Sequence, residues 1–455
     1  MSTAAARSVT IVGAGLAGAL LALLCARRGM QVTLYERRAD PRQSHPEQGR
    51  SINLALAARG MHALERAGIL QAVRPLLIPM RGRMVHERGA GPELQPYGQR
   101  AEEVIWSVGR AELNRVLIDA AARHAGVTVH FSHACSGIDP AADRLLLHNT
   151  RTGLDSAVAL APTIATDGAG SVVRAGLAES GVLSAREDWL DHDYKELTIP
   201  ARAGRPGLEP HALHIWPRGG FMLIALPNTD GSFTATLFLA RHGDASFATL
   251  SGATAVTAFF GREFPDVVPF MPQLAAEFAS HPQGRLATVH AAPWHRGGQV
   301  LLLGDAAHAI VPFHGQGMNA AFEDCTVLDG LLEGGADWDE MFARFEAARR
   351  GNTEAIAQMA LENYQEMREA VRDADFVRRR GIAMALERAF PGRFIPRYSM
   401  VMFHPEIPYA EALRRGAVQA RLLDELDPGL GREVEAGLDL ERTAQLIHER
   451  LPPVA

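Results

Sequence analysis

A glycine-rich turn between a buried strand and an apolar helix constrains this chain more than any other feature. Residues 9–12 are apolar or small, Gly13, Gly15 and Gly18 follow, and a second apolar segment ends at Glu36. In such a G-x-G-x-x-G turn the first glycine permits the bend, the second lets a pyrophosphate approach the backbone, and the third lets the helix pack on the strand. The helix N-terminus binds the pyrophosphate and the acid binds ribose. The sequence therefore predicts an adenine-dinucleotide site.

This motif alone leaves the dinucleotide open. An acidic residue at position 36 argues against NADP, because a 2′-phosphate would lie against a carboxylate, and Arg37 and Arg38 weaken that argument without reversing it. NAD and FAD both stay open on these residues. The alternative is a glycine-rich turn of some other α/β protein, and the strand, the helix and the distal acid together count against it.

Two further motifs follow apolar segments. Residues 300–303 lead to Gly304 and Asp305, and the loop at 315–319 (Gly-Gln-Gly-Met-Asn) begins another helix. Open α/β sheets bind ligands at the carboxyl ends of their strands, so Asp305 can accept hydrogen bonds from a polyol. A purely structural strand-turn-helix unit is the alternative. The segment at 165–174, which contains Asp167, could on its own be an ordinary turn before a helix.

Composition and net charge argue against several classes of protein and partner. The chain has 455 residues, 47% of them hydrophobic, and its net charge of −6 without a long basic run argues against nucleic acid as a partner. The three cysteines, Cys25, Cys135 and Cys325, lie in predicted helices or strands and indicate a reducing compartment. No metal site is predicted. The N-terminus lacks signal-peptide features and no apolar stretch could span a bilayer, so we expect a cytoplasmic protein.

The order of predicted elements indicates an α/β fold with a discontinuous, Rossmann-like dinucleotide-binding domain, to which we assign residues 1–75, 100–185 and 285–341. Short apolar runs at 212–216, 221–226 and 233–239, separated by turn signals, predict a mixed or antiparallel sheet. We assign residues 76–99 and 186–284 to this substrate domain. Residues 342–455 are expected to form a mainly helical C-terminal region that contributes to the substrate pocket.

The three motifs together resemble the fingerprints of the single-component FAD-dependent aromatic hydroxylases, although Ala165-Thr166 stands where Gly-Ala is common in that family. Several stretches are similar to the branch that hydroxylates kynurenine: 49–57 (GRSINLALA), 81–86 (RGRMVH), 94–98 (LQPYG), 213–217 (LHIWP), 312–319 (PFHGQGMN), 362–367 (ENYQEM) and 393–400 (RFIPRYSM). The similarity covers roughly residues 8–415. The tail at 438–455 is charged where eukaryotic members carry a hydrophobic anchor, so no membrane anchor is predicted.

The resemblance implies a tightly bound, non-covalent FAD, with NADPH as a transient co-substrate and O2 as the oxidant. The cofactor-binding residues that it implies are Gly13, Gly15, Leu16, Gly18, Glu36, Arg37, Arg38, Ala55, Arg110, Asp167, Asp305, Gly317, Met318 and Asn319. The chain has a single G-x-G-x-x-G fingerprint, so the nicotinamide has no second Rossmann domain and is expected to dock on the surface near the flavin.

The resemblance also implies the substrate, L-kynurenine, hydroxylated to 3-hydroxy-L-kynurenine through a flavin C4a-hydroperoxide. Arg83 would pair with the α-carboxylate, Tyr97, Asn363 and Tyr398 would donate hydrogen bonds, and Arg81 is the local competitor of Arg83. Other side chains would contact the ring or shape the site without a clear acid–base role: Phe238, Phe313, Met367, His314 and Glu366. Two alternatives stay open, a flavin hydroxylase of a phenolic acid and a flavin-binding protein without oxygenase activity.

Overall fold

The computed structural model describes residues 7–43, 53–201, 207–367, 374–426 and 440–454. Residues 49–52 of the stretch at 49–57 and the beginning of the tail at 438–455 therefore lie outside the described residues.

All strands of the described residues lie before residue 303, and the elements that follow them are helices. The strands are β1 (Ser8–Val12), β2 (Gln31–Glu36), β3 (Asn53–Leu56), β4 (Ile78–Met80), β5 (Gly82–Val85), β6 (Glu93–Pro96), β7 (Ile105–Gly109), β8 (Val127–Phe131), β9 (His133–Asp139), β10 (Arg144–Asn149), β11 (Asp155–Ala159), β12 (Thr163–Ala165), β13 (Ser184–Ile199), β14 (Leu213–Pro217), β15 (Met222–Pro227), β16 (Phe233–Ala240), β17 (Gln283–Ala292), β18 (His295–Arg296) and β19 (Val300–Leu302). The helices are α1 (Leu16–Arg27), α2 (Ala58–Arg66), α3 (Leu70–Val73), α4 (Arg110–Ala122), α5 (Val172–Glu179), α6 (Ala253–Glu263), α7 (Leu274–Ser280), α8 (Asp305–His308), α9 (Gly317–Glu333), α10 (Trp338–Gln365), α11 (Ala374–Ala389), α12 (Arg397–Phe403), α13 (Tyr409–Leu426) and α14 (Leu440–Arg450).

A six-stranded sheet carries the glycine motifs. Its strand order is β18-β19-β12-β1-β2-β8, and every pair is parallel except β18 with β19. Helix α1 is buried from Gly18 to Cys25, as its nearly continuous apolar sequence predicts for a helix covered on all sides. The carboxyl ends of β1, β2, β12 and β19 meet at one edge, because Val12 pairs with Tyr35 and Ala165, and Ala165 pairs with Leu302. The predicted α/β, Rossmann-like fold is confirmed.

A seven-stranded mixed sheet, in the order β17-β13-β16-β15-β14-β5-β6, lies beside it. Alternate residues of its strands face opposite sides. On one side Leu223 packs with the phenylalanines of α6, and on the other Met222 and Phe238 pack with Phe313. Strand β13 crosses the predicted domain boundary at 185/186, and the division into domains stays a prediction. Two three-stranded sheets, β11-β10-β9 and β3-β7-β4, complete the strands.

Helices α10 to α14 form the predicted helical C-terminal region. The long helix α10 packs against both α9 and α13, which joins this region to the six-stranded sheet. Within the described residues no helix is both long and apolar enough to cross a bilayer.

Candidate functional site

Packing of the glycine loop explains two of its three glycines. Gly13 has φ +94°, and a Cβ there would lie 2.7 Å from the carbonyl oxygen of Thr166. A Cβ on Gly18 would overlap the carbonyl oxygen of Gly13. At Gly15, in contrast, no protein atom lies within 4 Å of such a Cβ. Gly15 therefore borders open space at the N-terminus of α1, where the first amides of an α-helix have no intrahelical partner.

Glu36 ends β2 beneath this loop. Its carboxylate accepts hydrogen bonds from the backbone N–H of Ala14 at 2.8 Å and from the backbone N–H and Nε of Arg38 at 3.0 and 2.8 Å. Burial opposes the ionisation of Glu36, but the hydrogen bonds and charge of Arg38 outweigh it and lower the pKa of Glu36. The side chain of Arg37 is exposed. An ionised acceptor thus lies beside the glycine loop, where the sequence predicts a ribose.

The second motif brings a carboxylate and a helix N-terminus to the same edge. Gly304 has φ +63°, and the carboxylate of Asp305 beyond it is exposed and has no hydrogen-bond partner within the described residues. Helix α9 begins at Gly317 without a side-chain cap, which leaves the amides of Gly317 and Met318 available. These groups can pair with a polyol and with an anionic or electron-rich ring.

A cavity of about 620 Å³ joins these elements, a size usual for cofactor and ligand sites. The predicted residues that line it are Gly15, Leu16, Ala55, Arg83, Tyr97, Arg110, Phe238, Asp305, Phe313, His314, Gly317, Met318, Met367 and Tyr398. Cofactor and substrate predictions therefore meet in one space. In the described part of the chain, no three His, Cys, Asp or Glu side chains are grouped to hold a metal ion.

Asn319 and Asp167 lie behind this lining. The side-chain oxygen of Asn319 accepts from the backbone N–H of Ala57 at 2.9 Å, and its nitrogen donates to the carbonyl of Ala55 at 2.9 Å. Asp167 accepts from the backbone N–H groups of Val172 and Val173 at the start of α5, at 2.9 and 3.3 Å. Asn319 thus fixes the backbone of Ala55, which lines the cavity, and Asp167 bridges the cavity-lining loop at 168–170 to α5. Direct contact of either side chain with a cofactor stays a prediction.

Arg83 is a buried cation in the lining of the cavity. Its Cζ lies 4.9 Å from the ring centre of Tyr398 and 5.9 Å from that of Tyr97, and an Nη atom lies 4.0 Å from Glu366. Burial opposes the charge, but the tyrosine oxygens and Glu366 outweigh it and raise the pKa of Arg83. Its Nε has no hydrogen-bond partner in the described residues. Arg81, just before β5, is exposed. Arg83 is therefore the arginine suited to bind an anion inside the cavity.

Aromatic rings form the wall beside Arg83. The ring centres of Phe238 and Phe313 are 4.9 Å apart, and Phe313 stacks on Tyr364 at 4.1 Å. Asn363 does not line the cavity: its Nδ2 donates to the carbonyl of Phe313 at 2.6 Å and lies 3.3 Å from the sulfur of Met367. Asn363 thus fixes the Phe313 loop, and a substrate hydrogen bond from it stays a prediction.

His314 is a neutral member of this wall. Burial, assisted by the charges of Arg83 and Arg397, lowers the pKa of His314 to about 3. The imidazole stacks on Tyr398 with ring centres 5.4 Å apart. A histidine that is uncharged across physiological pH shapes the cavity without supplying a proton from an imidazolium.

Two arginines near the site were not predicted. Arg380 of α11 donates to Gln95 at 3.2 Å and contacts the carbonyl of Pro96, next to Tyr97. Arg174, buried in α5, donates to the carbonyls of Ala306 and Ala169. No local pattern marks Arg380, whereas a charged residue on the apolar face of α5 was a usable signal for Arg174.

A buried ion network supports the turn that carries Asp305. Asp324 of α9, with no exposed surface, accepts from the backbone N–H of Gly304 at 3.1 Å. Its carboxylate also lies 2.6 Å from His308 Nε2 and 2.6 Å from Arg349 Nε. Burial opposes its ionisation, but His308 and Arg349 outweigh burial and lower the pKa of Asp324. One carboxylate therefore ties the turn to both α9 and α10.

The sequence and the fold of this chain are similar to those of known flavin-dependent proteins. The FAD binding domain family matches residues 6–350. A kynurenine 3-monooxygenase of Xanthomonas campestris pv. campestris (strain 8004) is 48% identical over 100% of this chain and 99% of its own. The chain belongs to the kynurenine 3-monooxygenase family. A second member of that family, from Myxococcus xanthus, is 46% identical over 100% of this chain and 97% of its own.

Solved structures show the same fold as this member of the kynurenine 3-monooxygenase family. The p-nitrophenol 4-monooxygenase PnpA of Pseudomonas putida has a TM-score of 0.66 at 17% identity and covers 98% of this chain and 97% of its own. The tetrameric 2-methyl-3-hydroxypyridine-5-carboxylic acid oxygenase has a TM-score of 0.64 at 20% identity, with 90% and 98% covered. The predicted family and the FAD-binding fold are confirmed.

Replacing Asp305 with alanine is expected to weaken FAD retention by about 1–3 kcal/mol, because polyol hydroxyls would lose their acceptor. The measurement is the FAD dissociation constant, from flavin fluorescence during titration of the apoprotein. Asp339, at the start of α10 and outside the cavity lining, supplies a matched control, and Asp339→Ala should leave the constant unchanged. Equal FAD affinity in Asp305→Ala and the unaltered protein would remove Asp305 from the cofactor site.

Proposed function

We propose that this protein is an NADPH-consuming flavoprotein monooxygenase that hydroxylates L-kynurenine to 3-hydroxy-L-kynurenine. The observation that carries the proposal is the buried Arg83, in a cavity it shares with Asp305 and the N-termini of α1 and α9. An amino-acid substrate needs a cation for its carboxylate, and a buried arginine supplies one with two parallel donors. The names of the relatives support kynurenine as that substrate.

The residues present fit FAD. Gly15 borders open space at the amides of α1, which suits a pyrophosphate, and the unpaired Asp305 carboxylate suits the ribityl hydroxyls. The free amides of Gly317 and Met318 suit the pyrimidine end of the ring. FAD, when bound and reduced by NADPH, supplies the chemistry that activates O2 for insertion into an aromatic ring.

The chain's own residues orient the substrate and keep water out. Arg83, with Tyr97 and Tyr398, would bind the amino-acid end of the substrate. Phe238 and Phe313 would enclose the substrate ring and exclude water, which would otherwise decompose the activated oxygen species. The ring amine of kynurenine already activates the neighbouring carbon. No general base is then required, in agreement with His314, whose lowered pKa makes it a weak base.

The test is NADPH oxidation by the FAD-loaded protein with and without kynurenine, followed by chromatography of the products. We expect slow oxidation alone, faster oxidation with kynurenine, and 3-hydroxykynurenine as the product. A phenolic acid that is hydroxylated while kynurenine stays intact would move the protein to another branch of the flavin hydroxylases. A protein that binds FAD but never oxidises NADPH with any aromatic acid would be a flavin-binding protein without oxygenase activity.

A further inference from the structure

An exposed indole lies at the rim of the cofactor cavity. Trp189 of β13 lines the cavity, and 45% of the surface of this residue is exposed to solvent. Arg285 of β17 also lines the cavity, and its Cζ lies 3.9 Å from the centre of the Trp189 ring. This distance is a close cation–π contact, which holds the two side chains together. The pair presents an aromatic surface and a guanidinium at the edge of the space that fits FAD.

The guanidinium of Arg285 is available to an anion. In the described part of the chain it forms neither an ion pair nor a hydrogen bond, although Asp193 is its partner in the strand register. Asp193 accepts instead from Gln283 Nε2 at 2.6 Å. By contrast, Arg186 on the same strand as Trp189 pairs with Asp188 at 2.8 Å. Unlike Arg186, Arg285 therefore has guanidinium donors that no side chain or carbonyl of the described residues occupies.

Hydrogen bonds join the segment of β13 that carries Trp189 to the turn that carries Asp305. Glu187 and Trp189 are two residues apart on one strand and share a face. Glu187 accepts from Arg174 at 3.0 Å, and Arg174 donates to the carbonyl of Ala306, next to Asp305, at 3.0 Å. These bonds fix Trp189 relative to the turn that carries Asp305, so a group stacked on the indole would lie beside the cavity in a defined position.

We infer that Trp189 and Arg285 form the docking site of the reduced nicotinamide dinucleotide, and this inference rests on the proposed function. The single glycine fingerprint of the chain is taken by FAD, so the reductant must bind elsewhere, within reach of the flavin. It carries flat heterocycles and phosphates, which match an exposed indole and an unpaired guanidinium. The indole stacks one heterocycle, and Arg285 binds a phosphate oxygen.

The test measures binding of NADP⁺, which cannot reduce the flavin, to the FAD-loaded protein by saturation-transfer NMR, a method that detects millimolar affinities. Trp189→Ala and Arg285→Ala should each weaken NADP⁺ about tenfold, the size expected for losing one stacking or one charge-assisted contact. FAD content and kynurenine affinity should not change. Arg186→Ala is the matched control and should bind NADP⁺ normally.

Each outcome supports or overturns the inference separately from the proposed function. Weakened NADP⁺ binding in both variants supports the site even if the native substrate is a phenolic acid. Unchanged NADP⁺ binding in both variants, or no NADP⁺ binding to the unaltered protein, overturns it even if kynurenine is hydroxylated. Lower FAD affinity with unchanged NADP⁺ binding also overturns it, and shows instead that the indole stacks on the flavin.

Discussion

Arg83→Ala is expected to weaken kynurenine binding by about 2–5 kcal/mol, as truncating one partner of a buried charge pair does. The substrate carboxylate would enter a buried site without its cation, and Tyr97 and Tyr398 cannot replace the charge. The loss should appear as a higher KM and a higher kynurenine dissociation constant, measured from the flavin absorbance change on titration. FAD content should stay normal, because Arg83 is not among the groups that fit the cofactor.

Two further variants make this prediction specific. Arg83→Lys should recover only part of the affinity, because an ammonium cannot reproduce the two parallel donors of a guanidinium. Arg81→Ala removes an exposed arginine two residues away and should bind kynurenine nearly normally. If Arg83→Ala kept full kynurenine affinity, the argument for an amino-acid substrate over a plain phenolic one would fail.

Gly15→Ala is expected to lower the affinity for FAD, whereas Gly18→Ala is expected to lower the stability of the apoprotein. A Cβ on Gly15 meets no protein atom, so the apoprotein should keep its thermal stability, but the methyl group would occupy the space that suits the pyrophosphate. We expect FAD affinity to fall by at least about tenfold. A Cβ on Gly18 overlaps Gly13, so Gly18→Ala should destabilise the apoprotein itself by about 1–3 kcal/mol, the usual cost of overpacking.

The comparison needs two measurements on each variant, the melting temperature of the apoprotein and the dissociation constant of added FAD. Gly91→Ala is a suitable control, because a Cβ on Gly91 meets no protein atom, its φ is not positive, and Gly91 lies outside the cavity lining. Its apoprotein stability should match that of Gly15→Ala, whereas its FAD affinity should be higher. A Gly15→Ala protein that binds FAD normally would place the pyrophosphate away from the glycine loop.

Sequence reasoning found the elements whose signals are local. The runs at 212–216, 221–226 and 233–239 correspond to β14, β15 and β16, and every end differs by at most one residue. Such strands are predictable because hydrophobic patterning and turn residues are signals within a few positions of each other. The signal of the glycine loop is equally local, because the spacing of its three glycines predicts where the backbone must pass close to other backbone. The length of β13, which continues across a predicted boundary, was missed because its outer half is exposed and polar.

The site was predictable only in part. Motifs located Arg83 and Asp305, but not Arg380, which lies more than 280 positions from the Gln95 that it contacts. Contacts of that kind depend on how α11 packs, and nothing near Arg380 in the sequence encodes them. Asp167 illustrates a different difficulty. Its carboxylate accepts from the first two amides of α5, although the N-cap of that helix is Ser171, and sequence alone does not separate this structural role from a cofactor contact.

The Asp324 network joins the turn that carries Asp305 to α10, so we expect it to couple cofactor binding to the packing of that helix. Arg349 of α10 neutralises a carboxylate that also holds Gly304, so separating α10 from the six-stranded sheet would leave a buried charge without its partner. A ligand that binds only the intact arrangement stabilises all of it, by about 2.7 kcal/mol when its free concentration is 100 times its dissociation constant. We therefore expect the free energy of FAD binding to stabilise the packing of α10 as well, although none of its residues lines the cavity. By the same coupling, changes in α10 should alter FAD affinity.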